Sequence, residues 1–534
     1  MTIARFRIKE RPRSGFGRAV GGRRQIPKAA QASSPGGEGG RRRLAVNVLA
    51  GGALNVLKIA VQLVTLPLMA HFLGPTEFGL YALAMPTVSF FIILADGGLA
   101  VSLARESRSE TLVWSTAFWL VLLVGVALAG VLTAWGFVLA ALTGEPRVRP
   151  LMALLSLTLM MFAAAALPTA NLTRQRRMAV LAAADLVSAL VGAVVGVWLA
   201  ASGFGAMSLA AQFVSAGVIY AGALNAIAFV RPTFQFRISA VVGHLSLGSA
   251  LLSVKLADLF GRMFENVLYG RAFGAGGLGA YAFANQAPRF ICEAAGSPVW
   301  SALYAHAISE DAHHVKKALV NLERLLASIV FPVAALLSAT SPEILGAILG
   351  PKWTQASTLL DILLPFYALT SVANLSGAIL MSRNRGWLLL RISLLLSIGR
   401  VVVVALGPWL GAAAVVWGVG AVMAVVSFLK MMAPGRRTVS SFVRSLGPPA
   451  VGSAIAGVVC HALAHVRGDD ANLVWIACCW ALAGAVYVLA LAAMQPQTVR
   501  EDLEALRGLA RGVRNRGFPQ AGGAVPETQT VKDG

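Results

Sequence analysis

The amino-acid sequence predicts an all-α polytopic membrane protein with about fourteen transmembrane helices, set out as two parallel six-helix lobes followed by two appended helices. Three observations carry this reading: the composition, the side on which the loop charges fall, and an internal repeat. Of 534 residues, 57% are hydrophobic and 13% charged, and the mean hydropathy is +0.73. A soluble domain dresses its surface with about 25% charged residues, and this chain does not carry them.

Apolar runs long enough to cross ~30 Å of hydrocarbon fall at 46–69, 80–103, 112–134, 151–171, 179–201, 206–229, 245–268, 278–302, 318–340, 359–381, 387–406, 409–430, 442–465 and 472–493. The ninth has the least sharp start, because it holds Glu323 and Arg324. Residues 1–43 are a basic tail whose only acids are Glu10 and Glu38. Lacking an apolar segment of its own, it reads as a disordered cytoplasmic arm near anionic headgroups, not as a signal peptide or a nucleic-acid arm. Residues 496–534 form a second polar, basic tail.

The formal charge of +22 sits mostly in short loops and in the tails. With the N-terminus in the cytoplasm, the inside loops carry sixteen Lys and Arg, among them Arg105, Arg108, Arg174, Arg176, Arg177, Arg383, Arg385, Lys430, Arg436 and Arg437. The outside loops carry Arg147, Arg149, Arg271, Lys352 and Arg467. Cytoplasmic loops retain positive charge, so both termini are expected inside. No loop is long enough for an extramembrane catalytic domain, so a polymerase or ligase is disfavoured. The four cysteines, Cys292, Cys460, Cys478 and Cys479, lie in apolar stretches with no C-x-x-C spacing. Neither a disulfide framework, a metal site nor a cofactor is expected. His461 and His465 have an i,i+4 spacing but no evident third ligand.

The repeat lies at an offset of 200: HFLGPTEFGLYALA over 71–84 aligns with RAFGAGGLGAYAFA over 271–284, without a gap. Gly74/Gly274, Gly79/Gly279, Tyr81/Tyr281, Ala82/Ala282 and Ala84/Ala284 are identical. The copies follow the first and the seventh spans. Six spans is an even number, so the halves share one orientation, with an axis along the membrane normal. Loops NLTRQRRMAVL and ILMSRNRGWLL form a second pair, with Arg177 and Arg385 equivalent. The implied division is a tail to 43, a lobe over 44–230, a lobe over 231–433, appended spans over 434–495 and a cytoplasmic tail from 496.

Ionisable groups inside spans are costly and turn toward a bundle interior or water. In the first span Asn47, Asn55, Lys58, Gln62 and Thr65 share an arc of about 80°, and in the seventh so do His244, Lys255, Asp258, Arg262 and Glu265. Three- and four-residue spacings allow Lys255–Asp258, Asp258–Arg262, Arg262–Glu265 and, in the eighth span, Arg289–Glu293 pairs. Lys58, Lys255, Arg262, Arg289 and Arg400, with Asn55 and Gln62, are candidates to hold an anionic headgroup. Asp258, Glu265 and Glu293 are candidates for gating or coupling. Alternatively, acids and bases pair and only glue helices together. Asp96 and Asp185 read as structural, Gly192 and Gly196 as a packing motif, and Pro67, Pro86, Pro168, Pro288, Pro298, Pro332 and Pro365 as sites of kinks.

The stretch HFLGPTEFGLYALAMPTVSFFIILADGGLAVSLARE (71–106) resembles the N-terminal signature of the polysaccharide biosynthesis proteins. These are lipid-linked oligosaccharide flippases of the multidrug/oligosaccharidyl-lipid/polysaccharide exporter superfamily. ENVLYGRAFGAGGLGAYAFANQ (265–286) resembles their second-lobe signature, with Asn266 where a basic residue is usual, and LGPKWTQASTLLDILLPFYAL (349–369) a third. The resemblance implies a MATE-like fold and export of polyprenyl-diphosphate-linked oligosaccharide for exopolysaccharide, capsule or lipopolysaccharide O-antigen. It also implies membrane lipids, a polysaccharide polymerase and a co-polymerase as partners, and no nucleic acid. A cation-coupled drug antiporter and a non-transporting scaffold are the alternatives; Lys58, where a cation exporter needs an acid, counts against the first.

Overall fold

The computed structural model describes residues 38–96, 111–229, 231–241, 249–309, 312–435, 439–466 and 473–494, with single positions 99, 103 and 496. Most of both tails, Arg105, Arg108, His244, Arg436, Arg437 and Arg467 lie outside the described residues, as do the side chains of Asn47 and Asp96. Residues 1–46 form a separate unit, and the bundle comprises residues 47–534.

Two helices, α1 (Glu38–Asp96) and α6 (Ser249–Ser309), are 59 and 61 residues long. That is more than twice what a bilayer crossing needs. Each is broken at one glycine, Gly74 (φ 72°, ψ 171°) and Gly274 (φ 73°, ψ 175°), so each supplies two spans. Single spans are α2 (Thr111–Thr143), α3 (Val148–Arg174), α4 (Met178–Ala201), α5 (Ala206–Ala228) and α7 (Ala312–Ala339). After the short α8 (Ser341–Leu349) come α9 (Thr354–Ser382), α10 (Gly386–Ala405), α11 (Ala412–Met432), α12 (Val439–His465) and α13 (Leu473–Met494). Eleven described helices are long and apolar enough to cross a membrane, with α1 taken whole and the polar-rich α6 left out. Dividing α1 and α6 at their glycines gives the fourteen crossings read from the sequence.

The repeat is written into the backbone. Only glycine, and to a lesser degree asparagine, enters the left-handed region without steric cost. Gly74 and Gly274 break the paired long helices, Gly144 and Gly350 follow the third and ninth spans, and Gly205 and Gly411 cap α5 and α11. The two described non-glycine residues with positive φ, Arg176 (57°) and Asn384 (60°), are also equivalents. Their turns share one hydrogen-bond set. Arg177 N donates to Leu172 O at 3.0 Å and Arg385 N to Leu380 O at 2.8 Å; Arg176 N donates to Thr173 O and Asn384 N to Met381 O. Both are six-to-one helix endings of the Schellman kind.

Within the first lobe α3 packs on α2 and α5, and α4 on α5. Gly192 and Gly196 of α4 meet Ala216 and Gln212 of α5, so the G-x-x-x-G does bring two helices close. In the second lobe α9 and α10 flank α6, with α11 against both. The appended α12–α13 hairpin packs on α7: Tyr487 OH donates to Ser328 O and Trp480 Nε1 to Thr340 Oγ1, both at 3.0 Å. The prolines expected to kink spans sit inside helices; the break in each long helix falls at glycine instead.

The lobes meet at the end that the loop charges assign to the outside. The two repeat copies touch there, backbone to backbone. A methyl on Gly79 would overlap the Ala275 carbonyl, and one on Gly279 the Pro75 carbonyl. Around this point Phe78 packs edge-on to Phe283 and Trp353. Trp353 Nε1 donates to Ala70 O (3.1 Å), His71 Nδ1 lies 2.9 Å from Ile348 O, and Asn266 Nδ2 donates to Ala82 O (2.7 Å). Trp353 and Tyr281 are almost wholly buried in the core that runs across both lobes here.

Candidate functional site

Two cavities open between the helices, one in each lobe, of about 550 and 520 Å³. Arg289 lines both. The first-lobe cavity is walled by the polar stripe of α1 (Lys58, Gln62, Thr65) and by Asp185, Gln212 and Tyr220. The second-lobe cavity is walled by Lys255, Asp258 and Arg262 of α6, by Glu293 and Trp300 of its second half, by Arg400 of α10 and by Lys430 of α11. The two polar stripes foreseen on the first and seventh spans therefore both face cavities. At the repeat offset they match position by position: Asn55/Lys255, Lys58/Asp258, Gln62/Arg262 and Thr65/Glu265.

Most of the charges are paired. Lys58 Nζ lies 2.6 Å from Asp185 Oδ2 on α4, and Arg262 pairs with Asp258 one turn away. Arg289 Nε lies 3.5 Å from Glu293 Oε1. Arg400 Nη2 lies 2.7 Å from Glu265 Oε1, with side chains only 10% and 3% exposed. Glu265 also accepts from Tyr281 OH at 2.5 Å; Arg400 donates to Asn285 Oδ1 at 3.1 Å, which accepts from Tyr367 OH at 2.9 Å. This network locks the two halves of α6 to α9 and α10. Burying two opposite charges is tolerable only with such added hydrogen bonds.

Lys58 and Arg400 stand on helices without a nearby acid. Each finds its acid on another helix, a pairing invisible to i,i+4 spacing. Lys255–Asp258 and Arg262–Glu265 do not form; Arg262 takes Asp258, and Glu265 turns to Arg400. Asn55 is exposed one turn toward the inside end. Of the described cations that line the two cavities, two make no ion pair: Lys255, and Lys430, whose Nζ donates to Asn374 Oδ1 at 2.7 Å. Lys430 reads from the sequence as a loop charge. It lies instead in the last turn of α11, facing the cavity. Its place as the last residue of the span predicted over 409–430 was the available signal. The described residues hold no cluster of three metal-ligating side chains, and all four cysteines are free.

The class so defined is a helical membrane bundle of two repeated lobes with cationic side chains on its cavity walls. A family model described as "Polysaccharide biosynthesis protein" matches residues 68–358, more than half of the chain, and the chain belongs to that family. It is 25% identical over 305 residues to the succinoglycan biosynthesis transport protein ExoT of Rhizobium meliloti (strain 1021), covering 57% of this chain and 62% of that protein. It is 23% identical over 344 residues to the lipopolysaccharide biosynthesis protein WzxC of Escherichia coli (strain K12), covering 62% and 68%. The chain thus spans under two thirds of the length of ExoT. Among solved structures it resembles the lipid II flippase MurJ in an inward closed conformation (TM-score 0.68, 13% identity, 84% of this chain and 100% of that one). It also resembles an inward-facing MATE family multidrug resistance transporter (TM-score 0.56, 15% identity, 73% and 96%). These likenesses establish the MATE-like fold.

Proposed function

We propose that the protein moves polyprenyl-diphosphate-linked oligosaccharide across the cell inner membrane for exopolysaccharide, capsule or lipopolysaccharide O-antigen synthesis, with no covalent chemistry. The observation that carries this reading is the pair of uncompensated lysines, Lys255 and Lys430, on the walls of one cavity beside three neutralised ion pairs. A cavity with surplus positive charge draws an anion and repels a cation. Lysine suits a diphosphate as a compact point charge with three donors. Arg262, whose buried Nε makes no hydrogen bond, has donor capacity left for further phosphate oxygens. Trp300, stacked on Tyr304 with centroids 5.3 Å apart, stands on the same wall as a flat surface for a sugar ring.

In this reading the headgroup enters from the cytoplasm, the outer closure at Gly79 and Gly279 parts, and the lobes rock to release it outside. Lys58, Gln62 and Asn55 meet it on the first-lobe side, while Glu265 holds Arg400 in place and Asp258 and Glu293 exchange partners as the headgroup passes. Both termini are cytoplasmic, the lobes divide near residue 230 and again near 433, and a polymerase and co-polymerase take the product. The similarity to relatives named for succinoglycan transport and lipopolysaccharide biosynthesis supports the choice of cargo. A cation-coupled drug antiporter would need the opposite charge on the cavity wall.

The test is transport of a fluorescent polyprenyl-diphosphate oligosaccharide in proteoliposomes. A hydrogen bond to a charged group is worth ~1.5–3 kcal/mol, so Lys255→Gln with Lys430→Gln should lower transport at least tenfold, and the Lys→Arg pair should retain most of it. Transport unchanged by the double Gln variant, or absent in the wild type while an organic cation is exported, would overturn the reading.

A further inference from the structure

The chain has a third cavity, on its outer face, that the headgroup reading does not use. Spans one and five touch at their inner ends, where the Cα of Gly51 faces the Met178 backbone and Lys58 pairs with Asp185. Beyond that pair the two helices diverge. Between them lies a groove of about 620 Å³, walled by Leu57, Val64 and Leu68 of α1 and by Leu190, Val194 and Trp198 of α4. Its walls are apolar except for Thr65. The eleven helical steps from Leu57 to Leu68 rise about 16 Å, close to half of a ~30 Å hydrocarbon core. Both spans run from the inside to the outside in the loop-charge topology, so the groove occupies the outer half of the membrane. Trp198, 67% exposed, stands at its outer end, the position where tryptophan anchors to the interface.

The groove and the first-lobe cavity are direct neighbours. Val61 and Thr65 line both, so a single stripe of α1 divides an apolar channel in the lipid from a polar chamber inside. A bilayer phospholipid needs no such neighbour. A molecule with a charged, sugared head and a long apolar tail needs both compartments, side by side, with a narrow divide.

We infer that the groove between spans one and five seats the isoprenoid chain of a polyprenyl-linked diphosphate while its headgroup occupies the polar cavity. The Lys58–Asp185 pair closes the slot at its inner end, so the chain lies along the outer leaflet half. This inference rests on the flippase reading for its ligand class but adds a site which that reading does not require, since the tail could trail from any opening.

The experiment uses the full-length protein in nanodiscs with a C55 polyprenyl diphosphate that carries a photoreactive group on its chain. After irradiation and proteolysis, adducts are expected on the peptides holding Leu57–Leu68 and Leu190–Trp198. Unlabelled polyprenyl diphosphate should reduce them at least tenfold, and an equal amount of phosphatidylglycerol should not. Val194→Trp, which fills a position 70% exposed on the groove wall, should abolish the adducts without lowering expression. Adducts confined to other helices, or competed equally by phosphatidylglycerol, would overturn the proposal, the latter leaving an ordinary bilayer lipid site. A parallel measurement of binding by a water-soluble short-chain sugar diphosphate separates the two readings. Binding of that headgroup without groove labelling sinks only the tail seat; no binding of either probe sinks the flippase reading with it.

Discussion

Adding one methyl at Gly79 tests the outer closure more sharply than any charge change. The Cβ of alanine would overlap the Ala275 carbonyl and lie 2.9 Å from Gly279 N. By the lobe symmetry, a Cβ at Gly279 would overlap the Pro75 carbonyl and lie 3.0 Å from Gly79 N. The obstructing atoms are backbone, so no side chain can swing aside, and the opposite lobe itself must retreat. Overpacking costs ~1–3 kcal/mol. The clash exists only while the outer ends touch, so that energy falls on the outside-closed state alone, a shift of roughly 5- to 150-fold toward separated outer ends. The assay is pulsed electron–electron distance measurement between spin labels at Phe204→Cys and Trp409→Cys, in a background without the native cysteines. These positions are 59% and 79% exposed and precede the equivalent caps Gly205 and Gly411, one in each lobe. Gly79→Ala and Gly279→Ala should each move the distance distribution to longer values. Gly346→Ala, at the same end with no atom within 4 Å of its added methyl, should not. If both alanine variants fold and give the wild-type distribution, the Gly79–Gly279 contact is not a closure.

Two further perturbations address what holds the second lobe and its turns. Removing either partner of the buried Glu265–Arg400 pair leaves a stranded charge, so Glu265→Gln and Arg400→Met should each cost ~3–5 kcal/mol and lower the melting temperature in detergent. The double variant should recover part of the loss, and equal loss in all three would argue against direct coupling. Arg176 holds a left-handed conformation that costs a non-glycine residue ~1–2 kcal/mol, so Arg176→Gly should raise the melting temperature. Asn384→Gly should raise it less, because asparagine tolerates that region; a fall for Arg176→Gly would refute the strain argument.

The crossings were legible because a bilayer imposes one length and one polarity on every span. The repeat was legible because glycine is favoured where the backbone turns left-handed and needed where two backbones touch, and both cases recur at Gly74/Gly274 and Gly79/Gly279. The second pair of loops, noticed through Arg177 and Arg385, proved to be matching helix endings whose key residues are their predecessors, Arg176 and Asn384. Pairing was not legible. Spacing rules see along one helix, and they found Asp258–Arg262 and Arg289–Glu293. Lys58–Asp185 spans 127 residues and Glu265–Arg400 spans 135, so only the packed bundle reveals them. For the same reason the surplus charge could not be located: which lysine remains free depends on every acid that has been claimed elsewhere.

Symmetry of backbone and asymmetry of charge together bear on how a rocking bundle could favour one direction. The lobes repeat their turns, yet the equivalent stripe positions carry Asn55 against Lys255, Lys58 against Asp258, Gln62 against Arg262 and Thr65 against Glu265. A ligand that met identical walls would bind both conformations alike and shift neither. In the proposed function, the free lysines on the second lobe and the neutralised Lys58–Asp185 pair on the first would make an anionic headgroup bind the lobes unequally. Its preference for one state then depends on how far that first-lobe wall stands from Lys255 and Lys430 in each, so the charge difference between otherwise equivalent helices is the part of the sequence most specific to cargo.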